Sequence, residues 1–408
     1  MKGACIVGQS GGPTSVINSS VAGVVLTALN NENITEVYGA LNGIEGIINE
    51  NIIDFRKEDL KEIELLKYTP SAALGSVRFF LNNYQENDEV HKQILDVFKK
   101  YDIRYFFYIG GNDSMDSCHK INEYLKSQNY ECCVIGIPKT IDNDLVCTDH
   151  TPGYGSAAKF IATTISEIFL DINAYKKGRV TIVEVMGRDA GWLTASAKLA
   201  CLNNCEPDLI YLPEAAFNLD DFLEDVKKIY TEKKKAYIVV SEGIKDKDGD
   251  YILKYRNFNN NDSFGHLQLG GVANFLCEIV SNKFGFPVRG IELNLPQRCA
   301  SHLASKTDID EAFMCGAKAV EFATNGVTGK MVTMDRNLNI FNFLYTDLCN
   351  VAAQVKNVPL NFINEKQNHI TQEYIEYALP LIQGEANIEY VNGIPRFAKL
   401  KKILINKK

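Results

Sequence analysis

Six short apolar runs punctuate the first part of the chain: GACIVG (3–8), RYFFYIGG (104–111), CCVIGIP (132–138), RVTIVEVMG (179–187), LIYLP (209–213) and AYIVVSEG (236–243). Each is rich in Val, Ile or aromatic residues and ends in Gly, Pro or a polar residue, the pattern of a strand buried on both faces of a parallel sheet. Between them lie amphipathic stretches of helical length, such as EVHKQILDVFKKY (89–101) and LDDFLEDVKKIYTEKKK (219–235). This alternation predicts an α/β fold with mainly parallel sheets, in which ligands bind beyond the C-terminal ends of the strands.

The pattern runs from residue 1 to about 150 and resumes near 179, so two stacked α/β domains with a cleft between them are expected. The expected boundaries are a first domain over 1–150, completed by 299–340, a second over 151–298, and an extension over 341–408. In that extension, VKNVPLNFINEKQNHITQEYIEYALPLIQGE reads as a helical strap packed on the core. Residues 3 to 30 carry no charge, yet Gly11, Gly12 and Pro13 interrupt them. A buried strand, a glycine turn and a helix account for that stretch better than a membrane span or a signal peptide.

Composition narrows the choice of partner. The 408 residues carry a net charge of −8, and the 43 Lys and Arg are dispersed, which argues against nucleic acid or an anionic membrane and favours a small-molecule ligand. Eleven Cys at no disulfide-like spacing read as reduced core thiols, and six scattered His offer no zinc signature, so a cytoplasmic protein is expected.

The candidate chemistry lies at the strand ends. VGQSGGPTSVINSS (7–20) opens a helix whose N–H groups can face a phosphate, although it is neither a Walker A loop nor GxGxxG and a plain tight turn explains it nearly as well. YIGGNDSMDS (108–117) offers glycines to an anion while placing Asp113 and Asp116 in the same loop. In PKTIDNDL (138–145), Asp142 and Asp144 stand beside Lys139 and Thr140; one carboxylate can hold Mg²⁺ while the other accepts a hydroxyl proton, or the stretch is an Asx-turn with solvated charges. VMGRDAGWLT (185–194) presents Met186, Gly187 and Arg188, the last able to grip a sugar phosphate bidentately or simply to cap a helix. Arg289 and Arg298 lie nine apart, and Thr307 and Asp308 are expected to begin a helix by capping. Carboxylates at 113, 142 and 144 would repel a phosphoryl donor unless Mg²⁺ and Lys139, Arg78, Arg179, Arg188, Arg289 and Arg298 compensate, so Mg²⁺-assisted phosphoryl transfer between two anions is the expected chemistry.

SGGPTSVIN, LGSVR, GGNDS, PKTIDND, EVMGR, YLPE, SEG and PQR, in this order over roughly residues 1 to 330, resemble the phosphofructokinase family. QRCASHLASKTDIDEA and PLIQGE resemble, more narrowly, its bacterial pyrophosphate-using members. The resemblance implies two Rossmann-like three-layer domains, a phosphoryl-donor site on the first, and a fructose 6-phosphate site between them and across a subunit contact in a homodimer or homotetramer. It implies Asp142 as the base acting on the sugar 1-hydroxyl, Asp144 organising metal and substrate, and Thr140 between the substrates. Met186, Gly187, Arg188, Glu242 and Arg298 would bind fructose 6-phosphate, with Arg179 and Arg289 reaching it from a neighbouring subunit. Gly11, Gly12, Arg78, Gly111, Asp113, Ser114 and Lys139 would surround the donor.

Four departures from the family's ATP-using pattern carry consequences. Asp113 stands where the α-phosphate of ATP needs a small residue, and Lys139 replaces a Gly; together they are the pattern of diphosphate users. Asn112 replaces an Asp that contacts Mg²⁺, which leaves Asn112, Asp113 and Asp142 as candidate ligands, and Leu295 occupies the place of a phosphate-binding His. The expected reaction is reversible transfer from diphosphate to the 1-hydroxyl of fructose 6-phosphate. An ATP-dependent phosphofructokinase and a non-catalytic sugar-phosphate sensor are the alternatives.

Overall fold

All six apolar runs are strands in the computed structural model, which describes residues 1–256, 270–337, 340–352 and 354–406. One sheet contains β1 (Gly3–Gln9), β2 (Ile34–Ala40), β3 (Ile52–Asp54), β4 (Ile103–Gly110), β5 (Cys133–Pro138), β10 (Lys330–Asn337) and β11 (Ile340–Asp347), in the order β11-β10-β5-β4-β1-β2-β3. A second contains β6 (Val180–Val185), β7 (Leu209–Tyr211), β8 (Ala236–Ser241) and β9 (Val288–Glu292), all parallel, in the order β7-β8-β6-β9. In the first sheet β10-β5-β4-β1-β2 run parallel, and β3 and β11 close the edges antiparallel. Every residue of β1, β5, β6 and β8 is buried, in keeping with their mainly apolar character, with Gln9, Thr181, Glu184 and Ser241 as buried polar members.

The strands that left no apolar run are those at or near the edges. VRGIE of β9 carries Arg289 and Glu292 because one side of the strand has no neighbour, and KMVTMDRN of β10 meets β5 only at Lys330–Ile135 and Met331–Gly136.

The amphipathic stretches form helices Glu89–Lys100 and Leu219–Lys233. The uncharged stretch after the first glycine turn forms helix Ile17–Leu29, which packs on the first sheet alongside helix Lys306–Thr324. A Cβ on Gly23 would lie 2.0 Å from the Phe313 carbonyl oxygen, so the two helices touch backbone to backbone and no long side chain fits between them.

The capping expectation for 307 and 308 is corrected. Helix Lys306–Thr324 starts earlier, with Ser305 as the cap, so Thr307 and Asp308 sit in its first turn. The buried Asp308 carboxylate instead accepts the Gly153 and Ser156 N–H groups (2.8 Å each) at the start of helix Tyr154–Asn173. Burial raises its pKa to about 6 against those bonds.

After β11 the chain becomes a strap. Val358, Ile363, Ile370, Tyr374, Ile375 and Leu381 join the buried cluster around Trp192 and Leu193 beside the second sheet. Helix Gln372–Ala378 is part of this segment. The tail then returns to the first sheet, where Leu404 bridges Ile53, Arg396 pairs with Glu62, and the Lys401 and Lys402 N–H groups bond Glu58.

Candidate active site

The loops after β1, β4 and β5 converge. The Gly11 N–H donates to Val77 (3.0 Å) and Ser76 donates to the Gly11 carbonyl (2.6 Å), which zips the Leu74–Arg78 loop to the glycine turn and leaves Arg78 exposed at its rim. Gly11 is left-handed (φ +74°), a conformation that lets the turn close against Lys139. Lys139 is buried; its N–H donates to Gly110 (2.9 Å) and its amine to the Gly12 carbonyl (2.6 Å). Burial pushes its pKa down to about 8, although Asp142 and Asp144 pull upward.

Helix Asn112–Ser127 starts from Gly111 in the same corner, with Ser114 buried and Asp113 exposed in its first turn. The Asn112 side-chain oxygen accepts the Asp113 N–H (2.8 Å), and Asp116 pairs along the helix with Lys120 (2.6 Å). A carboxylate at 113 is favoured by the helix dipole and still leaves negative charge at the mouth of the anion corner.

The turn at Thr140–Asp144 exists, but its two carboxylates are half-buried and not freely solvated. Thr140 accepts the Asp142 N–H (3.0 Å), and Asn143 is left-handed (φ +54°) with its side chain accepting from Thr151 N–H (3.1 Å). Burial and the neighbouring Asp144 and Glu242 carboxylates push the Asp142 carboxyl up against the pull of Lys139 and Arg188, and burial also raises Asp144. Among the described residues no three His, Cys, Asp or Glu side chains cluster as a ready-made metal cage. A half-buried carboxylate pair nevertheless suits Mg²⁺, which is typically held by one or two carboxylates plus substrate phosphates.

The second sheet supplies the opposite wall. The Met186 N–H donates to Gln297 (3.2 Å), the Gly187 N–H to Glu242 (3.1 Å), and Ser241 to the Gly187 carbonyl (2.5 Å). Burial raises Glu242, with Arg188 opposing. The Arg298 guanidinium crosses to the glycine turn, 3.1 Å from where a Gly12 Cβ would sit, and burial together with Arg78 lowers its pKa. Leu295 is 57% exposed in the turn before Arg298. Arg179 and Arg289 are exposed at the opposite end of the second sheet, before β6 and opposite Thr181. A six-residue strand spans roughly 20 Å, so a single chain does not bring these two arginines to the cleft.

Several residues of the site were not among the expected site residues, although Gln297 lies within PQR. Gln297 holds Met186; His150 is buried between Asp149 and Glu311 (2.8 Å each); Lys356 and Tyr377 of the strap contact the turn after Thr140. Burial alone would lower His150, but Glu311 and Asp149 raise it to about 9. Their partners lie far along the chain, and no local periodicity announces them.

A parallel α/β scaffold with a basic, glycine-lined anion corner facing a carboxylate pair defines a protein built for phosphorylated small molecules. The chain belongs to the phosphofructokinase family, whose description, Phosphofructokinase, matches residues 4–323. It is similar to the pyrophosphate–fructose 6-phosphate 1-phosphotransferase of Halomonas elongata, 39% identical over 98% of this chain and 96% of that protein. The crystal structure of a pyrophosphate-dependent phosphofructokinase from Nitrosospira multiformis superposes with a TM-score of 0.91 at 36% identity, covering 100% of this chain and 99% of that one. A sulfofructose kinase from Alkalicoccus urumqiensis is 33% identical over 95% of this chain and 94% of its own length. Among the described residues, no helix is long and apolar enough to cross a membrane.

Proposed function

We propose that the protein transfers a phosphoryl group from diphosphate to the 1-hydroxyl of fructose 6-phosphate, giving fructose 1,6-bisphosphate and phosphate. Residues 1–150 with 299–340, continued by β11 to Asp347, form the donor-binding unit, 151–298 the acceptor-binding unit, and the chain after β11 the packed extension. The observation that carries this reading is Lys139: its amine lies on the Gly12 carbonyl, beside Asp142 and Asp144, where the nucleotide-using pattern has Gly.

Diphosphate occupies the corner formed by Gly11, Gly12, Gly111 and Ser114, held by Lys139 and Arg78. Asp113 at the mouth repels the α-phosphate of a longer nucleotide. Fructose 6-phosphate lies against Met186, Gly187 and Arg188, with Glu242 binding sugar hydroxyls and Arg298 holding its phosphate. Asp142 takes the 1-hydroxyl proton as that oxygen bonds to the near phosphorus and phosphate departs. Lys139 stays on the departing anion, and Thr140 sits between the two substrates. Asp142 or Asp144, with Asn112 and Asp113 as further oxygen donors, would hold Mg²⁺, which would supply charge neutralisation for the transferring phosphoryl group. Because diphosphate and bisphosphate are similar in transfer potential, the reaction runs both ways.

The remote position of Arg179 and Arg289 supports a homodimer or homotetramer in which a second copy supplies them to the acceptor phosphate. The lack of any basic block or membrane-spanning helix in the described residues supports a cytoplasmic setting.

The test is formation of fructose 1,6-bisphosphate by the purified protein with Mg²⁺ and either diphosphate or ATP. Faster turnover with diphosphate is expected, and its loss in Asp142→Ser with acceptor binding retained. Faster turnover with ATP refutes the donor assignment.

A further inference from the structure

The acceptor loop and the carboxylate turn meet over one residue of the strap. Lys356 donates its backbone N–H to the Asp144 carbonyl (2.7 Å), while its own carbonyl accepts the indole N–H of Trp192 (2.8 Å), four residues beyond Arg188. Its amine turns back to the segment after Asp144, donating to the carbonyls of Asp149 (2.8 Å) and Thr148 (3.2 Å), and lies 5.1 Å from the centre of the Trp192 ring. Two residues further on, the Val358 N–H donates to the Glu214 oxygen that also accepts the Gly191 N–H (2.9 and 2.8 Å).

The strap makes a second contact. The Tyr377 hydroxyl accepts from the Asn143 amide (2.8 Å) and donates to the Asp149 carbonyl (2.8 Å). Asn143 is the residue between the two carboxylates, and its left-handed backbone sets the directions in which Asp142 and Asp144 leave the turn. Thr140 and Thr151 hold the turn through the Asp142 N–H and the Asn143 side chain, and the strap adds further anchors at the Asp144 carbonyl and the Asn143 amide.

We propose that Lys356 and Tyr377 are positioning residues for phosphoryl transfer, through which the acceptor loop at Met186–Trp192 is coupled to the Asp142–Asp144 pair. The proposal rests on Asp142 being the base. Neither residue handles the proton or the phosphoryl group; Lys356 acts through Asp144 and Trp192, and Tyr377 acts through Asn143. Occupancy at Arg188 shifts the segment ending in Trp192, the indole carries that shift to the Lys356 peptide, and the peptide carries it to Asp144. An error of about 1 Å in such placement costs on the order of 100-fold in rate without weakening binding.

The experiment uses Lys356→Met, which keeps both backbone bonds and the apolar stem; Lys356→Arg, which keeps a cationic donor; and Tyr377→Phe. The expected result in Lys356→Met and Tyr377→Phe is a fall in kcat of about 10- to 100-fold, with KM for either substrate changed by no more than about twofold. Lys356→Arg recovers part of the loss, and the melting temperature stays near that of the parent. Trp192 is the sole tryptophan, so its emission reports acceptor binding directly. Fructose 6-phosphate titrations are expected to give an unchanged Kd in Lys356→Met but a smaller emission change.

Full kcat in both Lys356→Met and Tyr377→Phe overturns the proposal, as does a loss of kcat, KM and melting temperature together. If Lys356→Met does not fold, the milder Lys356→Arg and Tyr377→Phe decide by the same criteria. Asp142→Ser separates the two layers of inference. Turnover surviving in it removes the base assignment, whereas a dead Asp142→Ser beside fully active strap variants removes the coupling alone.

Discussion

The depressed pKa of Lys139 makes its grip on diphosphate titratable within an accessible range. Burial holds it at about 8 despite Asp142 and Asp144, with Arg78 and Arg298 adding repulsion. In the free enzyme the amine is mostly charged at pH 7 and about one-tenth charged at pH 9, so kcat/KM for diphosphate should fall about tenfold per pH unit above 8. Lys139→Met removes a charge-assisted hydrogen bond of about 1.5–3 kcal/mol, equivalent to about 10- to 150-fold in kcat/KM. The assay is kcat/KM for diphosphate at saturating fructose 6-phosphate from pH 6.5 to 9.5, for parent and variant. Diphosphate titrates identically in both series, so their ratio isolates the lysine: large at pH 7 and shrinking toward 1 by pH 9.5. A ratio constant across that range, or a loss confined to fructose 6-phosphate, refutes the assignment.

Other outcomes follow from the same geometry. Asp113→Gly with Lys139→Gly is expected to weaken diphosphate use and admit ATP, and an unchanged donor preference in competition assays counts against the gate. His150, raised from 6.5 to about 9, stabilises the fold by at most about 3 kcal/mol below pH 6.5, and this is lost as pH rises through 9. Lys139 and Lys356, both depressed to about 8, act with the opposite sign between pH 8 and 10.5. The measurement is therefore the difference in melting temperature between parent and His150→Gln, which should narrow as pH rises from 6.5 to 9.5. Asn294 holds φ +46° and ψ −144°, territory that suits Gly, so Asn294→Gly should stabilise by roughly 1 kcal/mol in denaturant titrations. Co-assembly of Asp142→Ser with Arg289→Ala should restore part of the activity each lacks if arginines are supplied between subunits.

Central strands and strand-end motifs were legible because each depends on neighbours within a few residues. A strand buried on both faces is largely apolar, and a tight anion turn favours glycine where the chain runs left-handed, as at Gly11. What stayed hidden depends on partners distant along the chain. β9 and β10 carry charge because their surroundings are half open, and His150 owes its character to Glu311, 161 positions away. The acids at 142 and 144 were visible as residues, but burial in the folded chain raises both, and Glu242, 100 positions from Asp142, raises Asp142 further, which no spacing encodes. Capping at 308 was misread because Asp308 serves another helix.

The first sheet cannot close until the chain has been made past Lys330. β5 ends at Pro138, yet its outer neighbour β10 begins at Lys330, and the helix that packs backbone to backbone on Ile17–Leu29 begins at Lys306. The four parallel strands from Val180 to Glu292 are complete in the nascent chain before that, so they can collapse while the earlier strands wait with one edge bare. Such long-range closure implies slow folding. A fragment ending before Lys330 would expose β5 as an aggregation-prone edge, so early termination of synthesis should yield insoluble chains and no foldable half-enzyme.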